Sequence, residues 1–502
     1  MRRPSSHQAL FALCSILLVA PLWLVRYPPM IDLPQHAAQI YLLRHLDDPG
    51  AGYREVFQVN WLTPYYFGYS IAWLLSHAMS ITNALRLEIT VAQLGIPLAL
   101  AALLRESGGR ASWALLGFPI AYSSSYYFGF LNFMTATPLL IWAMVPLLRY
   151  ARTPTRRRAL ALAALSLFFF WCHVVLAFIY GLAGCLLVAP RAPRFRDAVV
   201  RCLPFAAAAP LAVLWFVATR ATEPLTARTV TWDLAARAPD LFTNLAGGFR
   251  FDPGWTLAGL VLFAIPFITG ARPSREPSRW LPFAGALLFY LLVPHSVFGT
   301  AFLYMRFAIF TFVFYLLALE PVPPHARSAP RPLGRYAIPL FVVALLASQA
   351  VRVYNFDRES APFERIVSSM EPGRRVLSLT FVRTSRYSQF SVYQHFASWY
   401  QAEKGGFVDF SFASFYPVMV RFLPGREPPI TEDFNWAPHT FDWDTHCGAC
   451  YDYILVRSPQ NLERLVFAEA DRPYRLLTRA AWWWLYEVGP PSARATSSGH
   501  AG

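Results

Sequence analysis

The stretch Arg26-Tyr-Pro-Pro-Met-Ile-Asp-Leu-Pro-Gln-His36 follows directly on the first long apolar segment of the chain, residues 8–25. It places one carboxylate, Asp32, and one imidazole, His36, four residues apart. A helix is expected from Leu33 to Leu46, so both groups would lie near its beginning, where the chain has just left a bilayer. We interpret the rest of the chain as organised around this acid.

The composition indicates a polytopic α-helical membrane protein. Of 502 residues, 56% are hydrophobic and 15% are charged, whereas a soluble globular chain carries about 25% charged residues. The charges lie in short clusters between apolar runs of about 14 to 20 residues, which is long enough to cross or nearly cross a hydrocarbon core. The net charge of +15 falls mostly in short loops, where positive charge sets orientation, so it does not indicate a nucleic-acid partner.

The apolar runs predict eleven membrane spans with a cytoplasmic N-terminus. Arg2 and Arg3 precede an uncleaved first span, and five arginines between 149 and 158 form the strongest cytoplasmic signal. Residues 66–80 are interpreted as an interfacial helix, because a crossing there would place those arginines outside. Short cytoplasmic loops without transit features favour a bacterial inner membrane. The predicted spans are 8–25, 84–104, 111–126, 130–148, 159–172, 174–189, 203–219, 254–270, 281–293, 307–320 and 336–351.

The composition changes at Arg352, after which no apolar run is long enough to span a membrane. This change divides the chain into a membrane domain (1–351, with an outer loop at 26–83) and an extracytoplasmic α/β domain (352–488). A helix at 363–370 precedes the first of three predicted strands. The tail 489–502, rich in Pro, Ser, Gly and Ala, is predicted to be disordered. The strands are short, β-branched or aromatic, and bounded by turn formers, and they are expected at 375–380, 452–456 and 482–488.

The sequence alone leaves two interpretations of Asp32 open. Asp32-Leu-Pro-Gln35 fits a helix N-cap with a capping box, with Pro34 tolerated in the first turn. Alternatively Asp32 faces a cavity and acts as a general base. His36 would then orient Asp32, or join it in binding a divalent metal, although two ligands are a weak signal for a metal site.

Four more side chains are candidates for substrate binding. His173 falls at the outer break between two short spans, where ionisable groups tend to line cavities, although a packed core histidine fits as well. Arg306 begins a span, so its side chain either snorkels to the headgroups or forms bidentate hydrogen bonds with a membrane-embedded phosphate. His295, in the same outer loop, and Arg86, near the start of the second span, carry the same ambiguity.

Two further motifs are candidates for a functional or structural role. Asn132 closes the turn Tyr126-Tyr-Phe-Gly-Phe-Leu-Asn132 and could hydrogen-bond a sugar hydroxyl beside aromatic stacking faces, or belong to an ordinary interfacial aromatic belt. Cys447 and Cys450 form a lone Cys-x-x-Cys, for which a disulfide is typical outside the cytoplasm. Zinc, which requires four ligands, is the alternative.

Several loose motifs in combination resemble the GT-C fold glycosyltransferases, the membrane enzymes that take a sugar from a polyprenyl-phosphate donor. The resemblance covers about the first 350 residues and the end of the chain. Its elements are Asp32 in the first outer loop, Pro64-Tyr-Tyr66, Ala84-Leu-Arg-Leu87, paired short spans between arginine clusters, Tyr451-Asp-Tyr-Ile-Leu-Val456 and Trp484-Leu-Tyr-Glu487.

The resemblance implies that Asp32 is the catalytic base toward a glycan, lipid or protein acceptor. His36 and His173 would line the site, and Arg306 would hold the donor phosphate. The chain departs from the pattern where many relatives have a second acid in the outer turn between the third and fourth spans, because that turn here ends in Asn132. A two-acid or metal-dependent mechanism is therefore in doubt, and the sequence implies no certain cofactor.

Two other classes of protein fit the same spans. A transporter or lipid flippase would use an outward cavity, but it should show repeated halves, and the sequence has no convincing repeat. A non-catalytic partner in an envelope assembly would use the outer domain as a binding module, with Asp32 as a helix cap only. Loss of function on Asp32→Asn in a folded, inserted protein would separate the enzyme from the assembly partner.

Overall fold

The computed structural model describes residues 6–222, 230–232, 234–235, 237–297, 301–323, 334–415, 417–427 and 436–490. Most of the predicted disordered tail, from residue 491 onward, lies outside these residues. The chain folds into two compact units. Within the described residues, the first unit contains 6–24, 62–72 and 85–353, and the second contains 25–61, 73–84 and 354–490.

Helices make up most of the described residues. They are α1 (Ser6–Leu24), α2 (Leu33–His45), α3 (Tyr66–Ser76), α4 (Ile81–Ser107), α5 (Gly117–Ile120), α6 (Ser124–Phe128), α7 (Leu131–Arg152), α8 (Arg156–Cys172), α9 (Val174–Val188), α10 (Phe195–Cys202), α11 (Ala209–Thr222), α12 (Arg237–Ala246), α13 (Pro253–Ile268), α14 (Leu281–Leu292), α15 (Phe307–Leu317), α16 (Gly334–Ser360), α17 (Pro362–Ser368), α18 (Ser398–Lys404) and α19 (Glu463–Val466).

The strands are short, and most of them lie in the second unit. They are β1 (Phe57–Val59), β2 (Val230–Thr231), β3 (Ala271–Pro273), β4 (Ser296–Val297), β5 (Leu319–Pro321), β6 (Arg375–Thr380), β7 (Phe407–Val408), β8 (Val420–Phe422), β9 (Tyr453–Arg457), β10 (Tyr474–Ala480) and β11 (Trp483–Val488).

The helices confirm a membrane protein, but the count of eleven spans stays a prediction. Four helical segments in the described residues are long and apolar enough to cross a bilayer: Ile81–Ser107, Leu131–Arg152, Val174–Arg191 and Tyr336–Ser360. A fifth would be the pair 195–206 and 209–218, which is bent by 51°. Several predicted spans form apolar helices of 10–17 residues, such as Pro253–Ile268, which are too short to span without local thinning of the bilayer or burial by neighbours.

The segment 111–126, predicted as one span, is instead a 3₁₀ turn followed by the short helices α5 and α6. Its residues from Trp113 onward are buried inside the first unit. Gly117 permits this packing, because a Cβ there would lie 2.6 Å from the Cα of Pro97 on α4. Broken backbone at membrane depth is tolerated where protein covers it, so this segment is internal and not a lipid-facing helix.

The predicted break at His173 is confirmed, because α8 and α9 flank it and the chain is extended between them. That both helices cross the membrane stays a prediction. His173 has φ −175° and ψ 123°, and its Nδ1 accepts the N–H of Val175, which caps α9. The histidine therefore lies at a real break between two helices.

The second unit contains a five-stranded mixed sheet in the order β10-β11-β9-β6-β7. β6 runs parallel to β7 and β9, whereas β11 pairs antiparallel with β9 and β10. The predicted strands at 375–380, 452–456 and 482–488 are confirmed as β6, β9 and β11 within one residue, and the predicted helix at 363–370 is α17. These segments are buried apolar runs, which explains why their pattern was informative.

The second unit also includes the segment around Asp32. Helix α2 packs against α18, and β1 pairs antiparallel with β8, Phe57 opposite Phe422. Gln39 joins α2 to β8, because its side chain donates to the carbonyl of Val420 at 3.1 Å and accepts the N–H of the same residue at 3.0 Å. These interactions fix α2 on the C-terminal segment.

Candidate functional site

Asp32 precedes α2 but does not cap it with its side chain. Its backbone is helical (φ −91°, ψ −10°), and among the described residues its carboxylate accepts no capping hydrogen bond from the helix. Gln35, the expected second member of the capping box, instead donates to Ser398 Oγ at 2.8 Å and accepts the N–H of Phe412 at 2.9 Å. The Asp32 side chain is 21% exposed, so it keeps access to solvent or a ligand.

His395 is the neighbour of Asp32 that the sequence analysis missed. Its Nε2 lies 3.8 Å from Asp32 Oδ1, and its ring stacks on Phe410 with centroids 4.8 Å apart. Burial, together with the nearby His36, lowers the pKa of His395 to about 3. The imidazole is therefore neutral at physiological pH, and the contact with Asp32 is not an ion pair.

His36 completes a cluster with Asp32 and His395 in the second unit. It is buried, and its ring meets the edge of Phe412 at 5.6 Å. In the part of the chain that the structure describes, no three His, Cys, Asp or Glu side chains are placed to hold a metal ion.

Arg306 and His173 meet in the first unit. Both side chains are buried, and Nη1 of Arg306 lies 2.5 Å from Nε2 of His173. The guanidinium carbon lies 4.2 Å from the centre of the Phe130 ring, and Tyr65 packs on the imidazole at 4.9 Å. No carboxylate in the described residues comes within 4.0 Å of this guanidinium, and its Nε has no hydrogen-bond partner there.

The hydrogen bonds around His173 do not balance. Val175 N–H points at Nδ1 at 3.2 Å, and the Arg306 guanidinium, which can only donate, points at Nε2. A neutral imidazole has one acceptor nitrogen, so one of the two donors lacks its acceptor. An anion that accepted from Arg306 would resolve this conflict and neutralise the buried charge.

Asn132 lies beside a buried acid that the sequence analysis did not treat as a candidate. Glu88 on α4 is 2% exposed and accepts the Thr135 hydroxyl at 2.7 Å. A Cβ on Gly68 would lie 2.5 Å from Asn132 Oδ1 and 3.1 Å from Glu88 Oε1, so both oxygens converge on this glycine. An ionisable group at this depth is a candidate functional residue, and the signal in the sequence was an acid inside a predicted span.

The remaining predicted residues have other surroundings. His295 donates its backbone N–H to Thr231 and packs against Phe302, with ring centroids 4.8 Å apart. Arg86 lies on α4, two residues before Glu88. Cys447 and Cys450 are joined in a disulfide, so they do not form a zinc site. The candidates thus fall into two groups, with Asp32 and His36 in the second unit and the others, apart from the cysteines, in the first.

The fold belongs to the GT-C class, as comparison with solved structures shows. One similar structure is ArnT from Cupriavidus metallidurans bound to undecaprenyl phosphate, with a TM-score of 0.54 and 12% sequence identity over 96% of this chain and 97% of ArnT. Another is the arabinofuranosyltransferase AftD from mycobacteria, with a TM-score of 0.51 and 12% identity over 96% of this chain. The chain spans 40% of the length of AftD.

Sequence comparison adds nothing to this likeness. No protein-family model matches the chain, and no curated protein is similar to it in sequence. The likeness to the solved structures therefore establishes the fold, and it confirms the resemblance and a multi-pass membrane protein.

Proposed function

We propose that the protein is an integral-membrane glycosyltransferase that moves a sugar from a lipid-phosphate donor to an extracytoplasmic acceptor. The observation that carries the proposal is the buried Arg306 guanidinium, which lies against aromatic rings and has no carboxylate within reach among the described residues. A buried charge without a counter-ion is costly. A phosphate would supply both the charge and the hydrogen-bond acceptors that Arg306 lacks.

The fold supports a lipid phosphate as the source of that anion. ArnT, which shares the fold, was solved bound to undecaprenyl phosphate. In the proposed reaction Arg306 binds the phosphate of the donor and stabilises the negative charge that develops on it as the sugar leaves. His173 lies against the guanidinium, with its Nε2 2.5 Å from Nη1 of Arg306.

Asp32 is proposed as the general base. Its carboxylate does not cap α2 and remains partly exposed, so it can reach a hydroxyl group. His395 lies beside the carboxylate as a neutral imidazole, so it adds no positive charge there. His395, which stacks on Phe410, lies 3.8 Å from the carboxylate, and His36 packs against Phe412.

The proposed chemistry is a single displacement. Asp32 accepts the proton of the acceptor hydroxyl, the hydroxyl oxygen bonds to the anomeric carbon, and the bond from that carbon to the lipid phosphate breaks. The phosphate is a good leaving group that Arg306 stabilises, so no strong general acid is required. This route inverts the anomeric configuration.

The proposal includes a location. The distribution of arginines supports a cytoplasmic N-terminus and an extracytoplasmic position for Asp32 and the mixed sheet. The short cytoplasmic loops favour a bacterial inner membrane. The acceptor is then a glycan, lipid or protein of the cell envelope.

Binding of radiolabelled undecaprenyl phosphate to the protein in nanodiscs tests the role of Arg306. We expect Arg306→Gln to weaken binding at least tenfold. Arg306→Lys should bind with intermediate affinity, because lysine keeps the charge but cannot form the bidentate hydrogen bonds of a guanidinium. Arg250→Gln is the matched control, since Arg250 is an exposed arginine of the same unit that also lies near an aromatic ring. Equal binding by wild type and Arg306→Gln would refute the proposed phosphate site.

A further inference from the structure

A small cavity in the first unit is lined by polar side chains to which the proposed mechanism gives no role. Its walls include Gln93 on α4, Ser123, Ser125 and Tyr126 around α6, and Thr137 on α7. The remaining walls are apolar, so no charged group lines the cavity. The cavity has room for a group about the size of a water molecule.

Two of the polar side chains in the wall have unused hydrogen-bonding capacity. Gln93 and Tyr126 are each 1% exposed. Within the described residues, both amide atoms of Gln93 and the hydroxyl of Tyr126 lack a hydrogen-bond partner. Buried polar groups left unpaired cost about 1–3 kcal/mol each, and a ligand that both donates and accepts a hydrogen bond would satisfy them.

The cavity adjoins the Arg306 site. Phe133 lines the cavity, and its ring also lies 5.7 Å from the His173 ring and 5.9 Å from the guanidinium carbon of Arg306. Ile309, three residues after Arg306 on α15, forms another part of the wall. A ligand whose anionic group bound Arg306 would therefore have its adjacent atoms close to this cavity.

We infer that the Gln93–Tyr126 cavity is a recognition subsite for a hydroxyl group of the donor sugar. The inference rests on the proposed function, because the hydroxyl belongs to the ligand whose phosphate Arg306 binds. The neutral lining excludes a charged group by its desolvation cost, and the unpaired amide and phenol select a group that both donates and accepts. The lipid chain can neither donate nor accept a hydrogen bond, so it would leave these side chains unpaired.

The test measures binding of undecaprenyl phosphate, bare or carrying glucose, mannose, galactose or arabinose, to the protein in nanodiscs. The variants are Gln93→Leu and Tyr126→Phe. Thr137→Val is the control, because Thr137 lines the same cavity but its hydroxyl already donates to the Phe133 carbonyl at 2.8 Å. Thermal unfolding of each variant checks the fold, and Tyr126→Phe, which removes one atom, keeps the test valid if Gln93→Leu does not fold.

We expect wild type to bind at least one sugar-bearing lipid tenfold or more tightly than the bare lipid. Gln93→Leu and Tyr126→Phe should lose most of that preference while binding the bare lipid within twofold of wild type, and Thr137→Val should keep it. A resident water in the cavity would leave the preference unchanged in both variants, which would overturn the inference. Equal binding of all five lipids by wild type would also overturn the inference. Failure of wild type to bind even the bare lipid would overturn the proposed function, and the inference with it.

Discussion

Individual side chains give the clearest physical constraints on this protein. In each unit a residue with an obvious structural role in the sequence does something else in the structure. Asp32 stands at a helix start without capping it, and Arg306 is buried instead of reaching for headgroups. Both departures place a carboxylate or a guanidinium where it can take part in chemistry, and this is the basis of the proposed function.

Asp409 provides a prediction that does not depend on activity. It is 4% exposed, its Oδ1 accepts the N–H of Ser378 at 3.0 Å, and burial raises its pKa from 3.8 to about 7. A raised pKa means that the folded state holds the proton more tightly than the unfolded state. This contribution to stability is complete below about pH 4 and is lost as the pH rises to about 7.

We therefore expect Asp409→Asn to flatten the fall in stability between pH 4 and pH 7, and to stabilise the second unit at pH 8 by about 4 kcal/mol. Thermal unfolding followed by fluorescence across this pH range measures the effect. Asp444→Asn, which changes an exposed acid of the same unit, should leave the pH dependence unchanged. A parallel shift of the curves for wild type and Asp409→Asn would show that Asp409 is not the group responsible.

At the scale of helices and strands, the sequence predicted segments with a strong local pattern. β6, β9, β11, α17 and the α8–α9 break were all expected, because buried apolar runs and a lone histidine at a break are visible in the sequence. The edge strand β7 has two residues and could not be recognised. The pairing of β1 with β8 and the contact of Asp32 with His395 join distant parts of the chain, so no local pattern encodes them.

The packing of α12 against α13 yields a prediction about stability. Gly259 on α13 faces the backbone of α12, and a Cβ there would overlap the carbonyl of Phe242. Small residues allow helices to approach this closely in membranes. We expect Gly259→Ala to separate the two helices and to lower the unfolding temperature by several degrees, since overpacking typically costs about 1–3 kcal/mol.

Gly254→Ala on the same helix is the control, because a Cβ at that position meets only the Asp252 carboxylate at 3.4 Å. Thermal unfolding in the same detergent compares the two variants. An unfolding temperature for Gly259→Ala equal to that of wild type would mean that α12 and α13 do not approach as closely as described.

The whole molecule combines a membrane unit that carries the proposed phosphate site with a second unit that carries the proposed base. The arginine clusters predict the orientation of the chain, and Arg149 and Arg152 both pair with Glu106 at one end of α4 and α7. The orientation determines which compartment Asp32 faces, so the proposed acceptor depends on it.

A cysteine at position 153 tests this orientation. Thr153 follows α7 and is exposed within the arginine cluster. We expect Thr153→Cys to react with an impermeant thiol reagent only after the cells are permeabilised. Ala468→Cys, at an exposed position of the second unit, should react in intact cells. Labelling of position 153 in intact cells would reverse the proposed topology.

The most direct measurement of the central claim is mass spectrometry of envelope glycans and glycolipids in cells that lack the protein. The cells are complemented with wild type or with Asp32→Asn at matched levels in the membrane. We expect a sugar mass to be lost in the deletion and restored by wild type alone, because Asn cannot accept the proton of the acceptor hydroxyl. Equal restoration by Asp32→Asn would show that Asp32 is not the general base.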